Sequence, residues 1–158
     1  MIVLLMGVSG AGKTTLGERL AKRLAWPFID ADDYHPAGSV AKMAAGMALD
    51  DEDRWPWLDA LNRRLRAERD AVLACSALKA AYRERLLAGI VDARVVFLHG
   101  AQTLIAMRLA ERKHRYMPAS LLESQFATLE PPRQAITVDV AGDPDACVEL
   151  IAAALARA

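Results

Sequence analysis

Blocks of apolar residues alternate with amphipathic stretches along the whole chain. The apolar blocks are short and continuous, as is typical of strands buried on both faces of a parallel sheet, and they lie at residues 2–6, 27–30, 71–75, 94–98 and 136–140. Between them, helices are predicted at residues 13–24, around 40–45, and at 54–70, 79–88, 102–111, 118–128 and 144–156. This order predicts an α/β fold in which a five-stranded parallel sheet lies between two layers of helices.

Composition narrows the class of protein. The chain has 158 residues, 54% hydrophobic and 25% charged, with 20 acidic and 20 basic residues. This length suits a single domain, residues 1–158, and the composition excludes an intrinsically disordered chain. Zero net charge argues against a partner nucleic acid, which calls for a basic excess. Cys75 and Cys147 fit no metal or redox spacing and are expected to be reduced thiols. Since no signal peptide or membrane-spanning segment is recognisable, we expect a cytoplasmic protein that binds no membrane.

A glycine-rich segment follows the first predicted strand and precedes the first helix. Residues 7–14 read Gly-Val-Ser-Gly-Ala-Gly-Lys-Thr and fit the phosphate-loop pattern G-x-x-x-x-G-K-[ST]. In such a loop the backbone N–H groups bind phosphate oxygens, the lysine reaches the terminal phosphates and the hydroxyl binds Mg²⁺. A bare glycine turn, the alternative, would not need the Lys-Thr pair. The predicted nucleotide-binding residues here are Gly7, Val8, Ser9, Gly10, Ala11, Gly12, Lys13, Thr14 and Thr15.

An acidic turn follows the second predicted strand, at the sheet edge where ligands bind in open parallel sheets. Asp30 and Asp32 are two positions apart, so in an extended segment their side chains would point the same way. One carboxylate could hold the metal and the other could accept a hydroxyl proton. The alternative is a solvated turn or a helix N-cap. His35 could donate to a substrate oxygen or bond within the turn.

Basic residues later in the chain are candidates for binding anions. Arg54 lies among carboxylates and could clamp an anionic substrate. Lys79 and Arg83 follow the third strand on one helical face, where the alternative is a solvated helix start. Arg108 and Arg112 begin a helical basic stripe that continues to Arg115, with Lys113 and His114 between. This stripe could belong to a lid over ATP, with an arginine on the transferring phosphoryl group, or it could be a solvated helix end.

These segments together resemble the gluconokinase family of P-loop kinases. Cys-Ser-Ala-Leu-Lys at 75–79 and Asp-Ala-Asp-Asp-Tyr-His-Pro at 30–36 are specific to that family, whereas the phosphate loop is not. The resemblance runs nearly end to end and rests on residues 6–14, 30–36, 42–43, 49–54, 56–58, 74–79, 82–83, 108–109 and 125–131.

The resemblance implies ATP-dependent phosphorylation of D-gluconate at its 6-hydroxyl, an adenylate-kinase-like fold with a lid at about 112–122, and commonly a homodimer. It implies Lys13, Asp32 and Arg112 as catalytic residues, with Arg108 and Arg112 also at the nucleotide. Thr14 and Asp30 would hold Mg²⁺, although related shikimate kinases carry a similar turn, so Asp30 and Asp32 could exchange roles. The implied substrate-binding residues are Asp32, His35, Arg54, Lys79 and Arg83.

Two other functions stay open at this point. A kinase for another small hydroxy acid, such as shikimate, would use the same phosphate loop and acidic turn. A nucleotide-dependent switch without a small substrate would show slow hydrolysis that no sugar acid changes. The acidic turn and the basic clusters favour a kinase over a switch, because a switch needs neither.

Overall fold

The computed structural model describes residues 1–112 and 119–158. Its strands are β1 (Ile2–Met6), β2 (Phe28–Asp30), β3 (Ala71–Ala74), β4 (Ala93–His99) and β5 (Ile136–Asp139). Its helices are α1 (Lys13–Leu24), α2 (Ala37–Ala44), α3 (Asp51–Arg66), α4 (Ala80–Leu87), α5 (Gln102–Ala110), α6 (Ala119–Thr128) and α7 (Pro144–Ala156). In the part of the chain that the structure describes, no helix is long and apolar enough to cross a membrane.

The five strands form one parallel sheet in the order β2-β3-β1-β4-β5. The predicted α/β class and five-stranded parallel sheet are therefore confirmed. Strand β1 lies in the centre and pairs with β3 on one side and β4 on the other. All strands end at the same edge, so the loops after β1, β2 and β3 are brought together there.

Two hydrophobic cores cover the two faces of the sheet. Val3 and Leu5 of β1 belong to the core that α1 and α7 complete, whereas Ile2, Leu4 and Met6 belong to the core under α3 and α4. Successive residues of a strand point to opposite faces, so every residue of β1 is buried. Burial on both faces explains the unbroken apolar run at the start of the chain. Because β1 is held in the centre of the sheet, the start of the loop that follows it is held in place as well.

The third predicted helix is shifted toward its N-terminus. It begins at Asp51 rather than at residue 54, and it ends at Arg66 rather than at residue 70. Asp50 is the N-cap: its carboxylate accepts from the Asp53 N–H at 2.8 Å, and the Asp53 carboxylate accepts from the Asp50 N–H at 3.0 Å. This reciprocal capping box stabilises the first turn, so the acidic run belongs to the helix. Pro56 lies inside the helix without ending it.

Candidate active site

The phosphate loop curls because two of its glycines adopt left-handed backbone angles. Gly10 has φ of 83° and Gly12 has φ of 94°, conformations that side-chain-bearing residues rarely adopt. Helix α1 begins at Lys13, directly after the loop, and points its positive N-terminal end at the loop. The strand–loop–helix order that the phosphate-loop prediction required is therefore present, and it forms an anion-binding geometry.

Lys13 folds back over its own loop. Its Nζ donates to the carbonyl of Gly7 at 3.0 Å and to that of Val8 at 2.9 Å. Burial lowers the pKa of Lys13 to about 8, against the opposing effect of the Asp32 and Asp30 carboxylates nearby. The ammonium group is thus held in a poorly solvated position in which a phosphate would be its strongest available partner. Burial also raises the pKa of Cys75 to about 12, so this thiol stays protonated beside Lys13.

A cleft of about 240 Å³ opens beside the phosphate loop. It is lined by Gly10, Gly12 and Thr15 of the loop and helix α1, by Arg108 and Arg112, and by residues from the end of β5 to Cys147 in the first turns of α7. The structure therefore brings the two predicted arginines to the loop.

Arg112 does not continue the helical stripe that the spacing predicted, because α5 ends at Ala110 and the Arg112 N–H bonds the Leu109 carbonyl in a closing turn. Lys113, His114 and Arg115 lie outside the described residues, as does most of the predicted lid at about 112–122; both stay predictions.

The acidic turn after β2 is helical, not extended. Residues Ala31–Tyr34 form a 3₁₀ helix, and Asp30 is its N-cap, accepting from the Asp32 N–H at 3.0 Å. The expectation that Asp30 and Asp32 share a direction along an extended segment is therefore wrong. Asp30 caps the turn with Oδ1 only, and its Oδ2 faces Thr14. The turn still brings both carboxylates close enough to Lys13 to oppose the fall in its pKa.

The residues around Thr14 fit a magnesium ion that phosphate oxygens help to hold. The Thr14 Oγ1 lies 3.5 Å from Asp30 Oδ2, so a hydroxyl and a carboxylate oxygen face one place beside the phosphate loop. Mg²⁺ in kinases is bound by one or two such groups together with substrate phosphates and water. Among residues 1–112 and 119–158, no cluster of three or more His, Cys, Asp or Glu side chains could hold a metal by itself. The ion would therefore need phosphate oxygens and water as further ligands.

His35 lies flat on Trp57. The ring centroids are 4.2 Å apart with an angle of 17° between the planes, and the indole Nε1 donates to the Ala31 carbonyl at 2.7 Å. The His35 side chain is only 6% exposed, and its Nε2 lies 3.6 Å from Asp32 Oδ1. Its Nδ1 is buried and has no hydrogen-bond partner among the residues described. Because buried polar atoms are normally paired, this nitrogen lacks a partner that its position calls for, and a substrate oxygen can reach it only if the acidic turn moves.

Arg54 and Lys79 converge on the ring of Tyr82. The Arg54 Cζ lies 5.2 Å and the Lys79 Nζ 5.5 Å from the ring centroid, and Arg54 Nη1 is 3.4 Å from the Tyr82 hydroxyl. Asp51 is the carboxylate in this cluster: it accepts from the Tyr82 hydroxyl and, at 3.4 Å, from Lys79 Nζ. The hydrogen bond from Tyr82, reinforced by the Lys79 charge, lowers the pKa of Asp51. The cluster is thus already arranged around a carboxylate.

Arg83 is a buried residue that holds backbone. It is 9% exposed, and its guanidinium donates to the carbonyls of Ala77 at 2.8 Å, Leu78 at 3.1 Å and Glu130 at 2.9 Å. The alternative of a solvated helix start is therefore wrong for Arg83. Ala77 has a left-handed φ of 44°, an unfavourable angle for alanine, and the Arg83 bond to its carbonyl stabilises it. Three carbonyl contacts account for the burial of Arg83, and its predicted substrate contact stays a prediction.

Sequence reasoning missed three contacts at this edge of the sheet. The residue types around Asp51 do not reveal that its carboxylate bonds Tyr82 and Lys79. Nor do they reveal that Trp57 stacks on His35 and so positions it. Gln125 of α6 bonds Ser9 in the phosphate loop, across 116 positions of sequence. All three residues lie in segments that carry the family resemblance (49–54, 56–58 and 125–131), but the residue types alone do not reveal their partners.

The parallel sheet, the phosphate loop and the converging anion-binding side chains define a P-loop kinase. The family model described as an AAA domain matches residues 2–132. The chain is 46% identical to a probable gluconokinase of Xenopus tropicalis, covering 90% of this chain and 87% of that protein. It is also 46% identical to a gluconokinase of Gluconobacter oxydans (strain 621H), covering 82% and 75%. The crystal structure of a gluconokinase from Sinorhizobium meliloti 1021 is 42% identical, with a TM-score of 0.91 over 98% of this chain and 91% of that one. The chain belongs to the gluconokinase family.

Proposed function

We propose that this protein transfers the terminal phosphoryl group of ATP to D-gluconate, giving 6-phosphogluconate and ADP. The observation that carries the proposal is the meeting of two anion sites at one sheet edge. The loop after β1 has the geometry for phosphate, and the loop after β3 presents Lys79 to a carboxylate. Their backbones are joined by the bond from the Gly7 N–H to the Ser76 carbonyl at 3.3 Å. A phosphoryl donor and a small acid can therefore be bound side by side, and relatives called gluconokinase support gluconate over shikimate.

The phosphate loop would bind the triphosphate through its N–H groups, with Lys13 on the terminal phosphates. Thr14 and Asp30 would hold Mg²⁺, which supplies charge neutralisation on the phosphate oxygens when it is bound. Arg108 and Arg112 line the nucleotide cleft, and Arg112 would stabilise charge on the transferring group.

Asp32 would accept the proton of the substrate hydroxyl as that oxygen bonds the γ-phosphorus and the bond from phosphorus to ADP breaks. His35 would bind a substrate oxygen at Nδ1 once a movement of the acidic turn exposes that buried nitrogen. Arg54 and Lys79 would bind the substrate carboxylate, which then shares or replaces the contact that Asp51 makes with Lys79. The chain thus offers separate groups for phosphate, hydroxyl and carboxylate.

A coupled assay of ADP production tests the proposal. Purified protein is given ATP and Mg²⁺ with gluconate, with shikimate, or with other sugar acids, and the product is checked by phosphorus NMR for a phosphate ester on the primary hydroxyl. Activity on gluconate well above the activity on the other acids is expected. Activity on shikimate without activity on gluconate would overturn the choice of substrate. Slow hydrolysis that no acid stimulates would overturn the kinase assignment in favour of a switch.

We further propose that the protein acts in the cytoplasm as a single domain spanning residues 1–158, and as a homodimer, without nucleic-acid or membrane partners. The zero net charge supports the absence of a nucleic-acid partner. Light scattering coupled to size-exclusion chromatography tests the dimer. A mass equal to one chain at micromolar concentration would overturn it.

A further inference from the structure

Gln125 forms a two-point contact with the phosphate loop. Its Oε1 accepts from the Ser9 N–H at 2.7 Å, and its Nε2 donates to the Ser9 Oγ at 3.1 Å. The orientation of the carboxamide is fixed, because a backbone N–H can only donate and must therefore face the oxygen. One side chain from α6 thus binds both polar groups that Ser9 offers.

The segment that begins at Gln125, residues 125–130 (the strap), is bonded at its other end to the loop after β3. The Glu130 N–H donates to the Leu78 carbonyl at 2.9 Å, and the Glu130 carboxylate accepts from the Ala80 N–H at 3.0 Å. Arg83 donates to the Glu130 carbonyl at 2.9 Å. These contacts lie on both sides of Lys79. The strap therefore joins the loop proposed to bind phosphate to the loop proposed to bind the substrate acid.

The strap has its own anchorage in the core. Phe126 and Leu129 are partly buried and pack against the hydrophobic core, and Leu122 of the same helix is fully part of it. Gln125 itself is only partly buried, so its carboxamide adds little to this packing. Its removal should leave the helix in place while freeing Ser9.

We propose that Gln125 is a positioning residue for phosphoryl transfer. Through the strap, it holds the phosphate loop in a fixed position relative to the loop after β3, which carries Lys79. In-line transfer is sensitive to placement, and an error of about 1 Å between reacting groups costs about 100-fold in rate. Gln125 touches Ser9 and acts through it. The inference rests on the proposed function, because it needs an acceptor substrate in the second loop.

The test compares Gln125→Met, which keeps the length and volume of the side chain, with Gln134→Met, an exposed glutamine outside the strap. Gln125→Met should lower kcat about 10- to 100-fold while changing KM for gluconate and Kd for ADP less than about threefold. Gln134→Met should match the wild type. Unchanged kcat, or a rise in Kd for ADP with kcat preserved, would overturn the proposal. Wild-type protein without gluconate-dependent activity would instead overturn the proposed function.

Two further measurements separate positioning from a general loss of structure. Ser9→Ala removes one of the two contacts and should lower kcat less, and the double variant should be no slower than Gln125→Met alone, because both act through one pair. If the losses of kcat in the two single variants multiply in the double variant, the two residues do not act through one pair and the proposal is contradicted.

In the ligand-free protein, the Ser9 amide of Gln125→Met should exchange its hydrogen at least about tenfold faster, since its acceptor is gone. Equal exchange would overturn the contact. If Gln125→Met does not fold, Gln125→Asn, one methylene too short to reach Ser9, should show the same loss of kcat.

Discussion

His35 and Trp57 form a stacked pair in which the imidazole is buried while one of its nitrogens is left without a partner among the described residues. The indole sets the plane of the imidazole, and the Trp57 bond to the Ala31 carbonyl fixes the indole in turn. A buried unpaired nitrogen costs stability. Such a cost is commonly found at functional sites, where a ligand supplies the missing partner.

His35→Phe should separate stability from substrate affinity. Phenylalanine retains an aromatic ring for the stack with Trp57 and removes the unpaired nitrogen. We expect the free energy of unfolding to stay equal or rise by up to about 1 kcal/mol, while KM for gluconate rises about five- to tenfold, the loss of one hydrogen bond. Urea denaturation and steady-state kinetics measure the two quantities. An unchanged KM would mean that His35 only packs.

Asp32→Asn should lower kcat about 100-fold or more and leave Kd for ADP within about threefold, because the amide cannot accept the hydroxyl proton. Asp33→Asn is the matched control, since Asp33 is the next residue of the same 3₁₀ turn and is exposed. Asp30→Asn completes the series. If Asp30→Asn loses kcat and Asp32→Asn does not, the two carboxylates have the opposite roles.

Arg83→Met should destabilise the fold by about 2–4 kcal/mol, because carbonyls of Ala77, Leu78 and Glu130 lose a charged donor in a buried place. Arg85→Met is the control from the same helix. Arg85 forms an exposed ion pair with Asp59, and because solvent screens such pairs, its loss should change stability far less. Denaturation midpoints compare the two variants. Equal stability of the two variants, with a raised KM for gluconate in Arg83→Met, would return Arg83 to the substrate site.

Gly10→Ala and Gly12→Ala should differ in cost, although both residues have a left-handed φ. The left-handed angle costs an alanine about 1–2 kcal/mol at either position. At Gly10 the new Cβ would also lie 2.7 Å from Leu109 Cγ, whereas at Gly12 the nearest atom is 4.0 Å away. Gly10→Ala should therefore lose about 1–3 kcal/mol more in urea denaturation. Equal losses would show that Leu109 moves aside freely.

The sequence predicts the scaffold well and the side-chain partners poorly, for a physical reason. Burial on both faces leaves an unbroken apolar run, so Ile2–Met6 and the parallel sheet can be predicted from residue type alone. Backbone partners leave no such pattern: Arg83 bonds carbonyls, and every residue has a carbonyl. The sequence does not predict the 3₁₀ helix at Ala31–Tyr34 either. Its signal is the N-cap Asp30, and an aspartate that caps a helix cannot be told by residue type from one that binds a metal.

Lys13 should make nucleotide binding depend on pH in a definite direction. In the ligand-free fold its pKa is about 8, below its ordinary value of 10.5, because burial disfavours the charged form. Between these two values the folded state holds fewer protons than the unfolded state, so the contribution of Lys13 to stability rises with pH across that window. Phosphate favours the ammonium form, so binding restores the proton. Above pH 8 the affinity for nucleotide should therefore fall as pH rises.

Calorimetry of ADP binding from about pH 7.5 to 9.5 checks this expectation. Kd should rise toward about tenfold per pH unit above 8, and binding in buffers of different ionisation enthalpy should show uptake of up to one proton. Lys13→Met should abolish the proton uptake and reduce turnover by about 1,000-fold or more, since the contact with the terminal phosphates is lost. Lys22→Met, on the exposed face of the same helix, should change neither quantity. A Kd that is constant across this range would mean that the Lys13 ammonium keeps its proton without the nucleotide, and that burial in the empty loop does not lower its pKa.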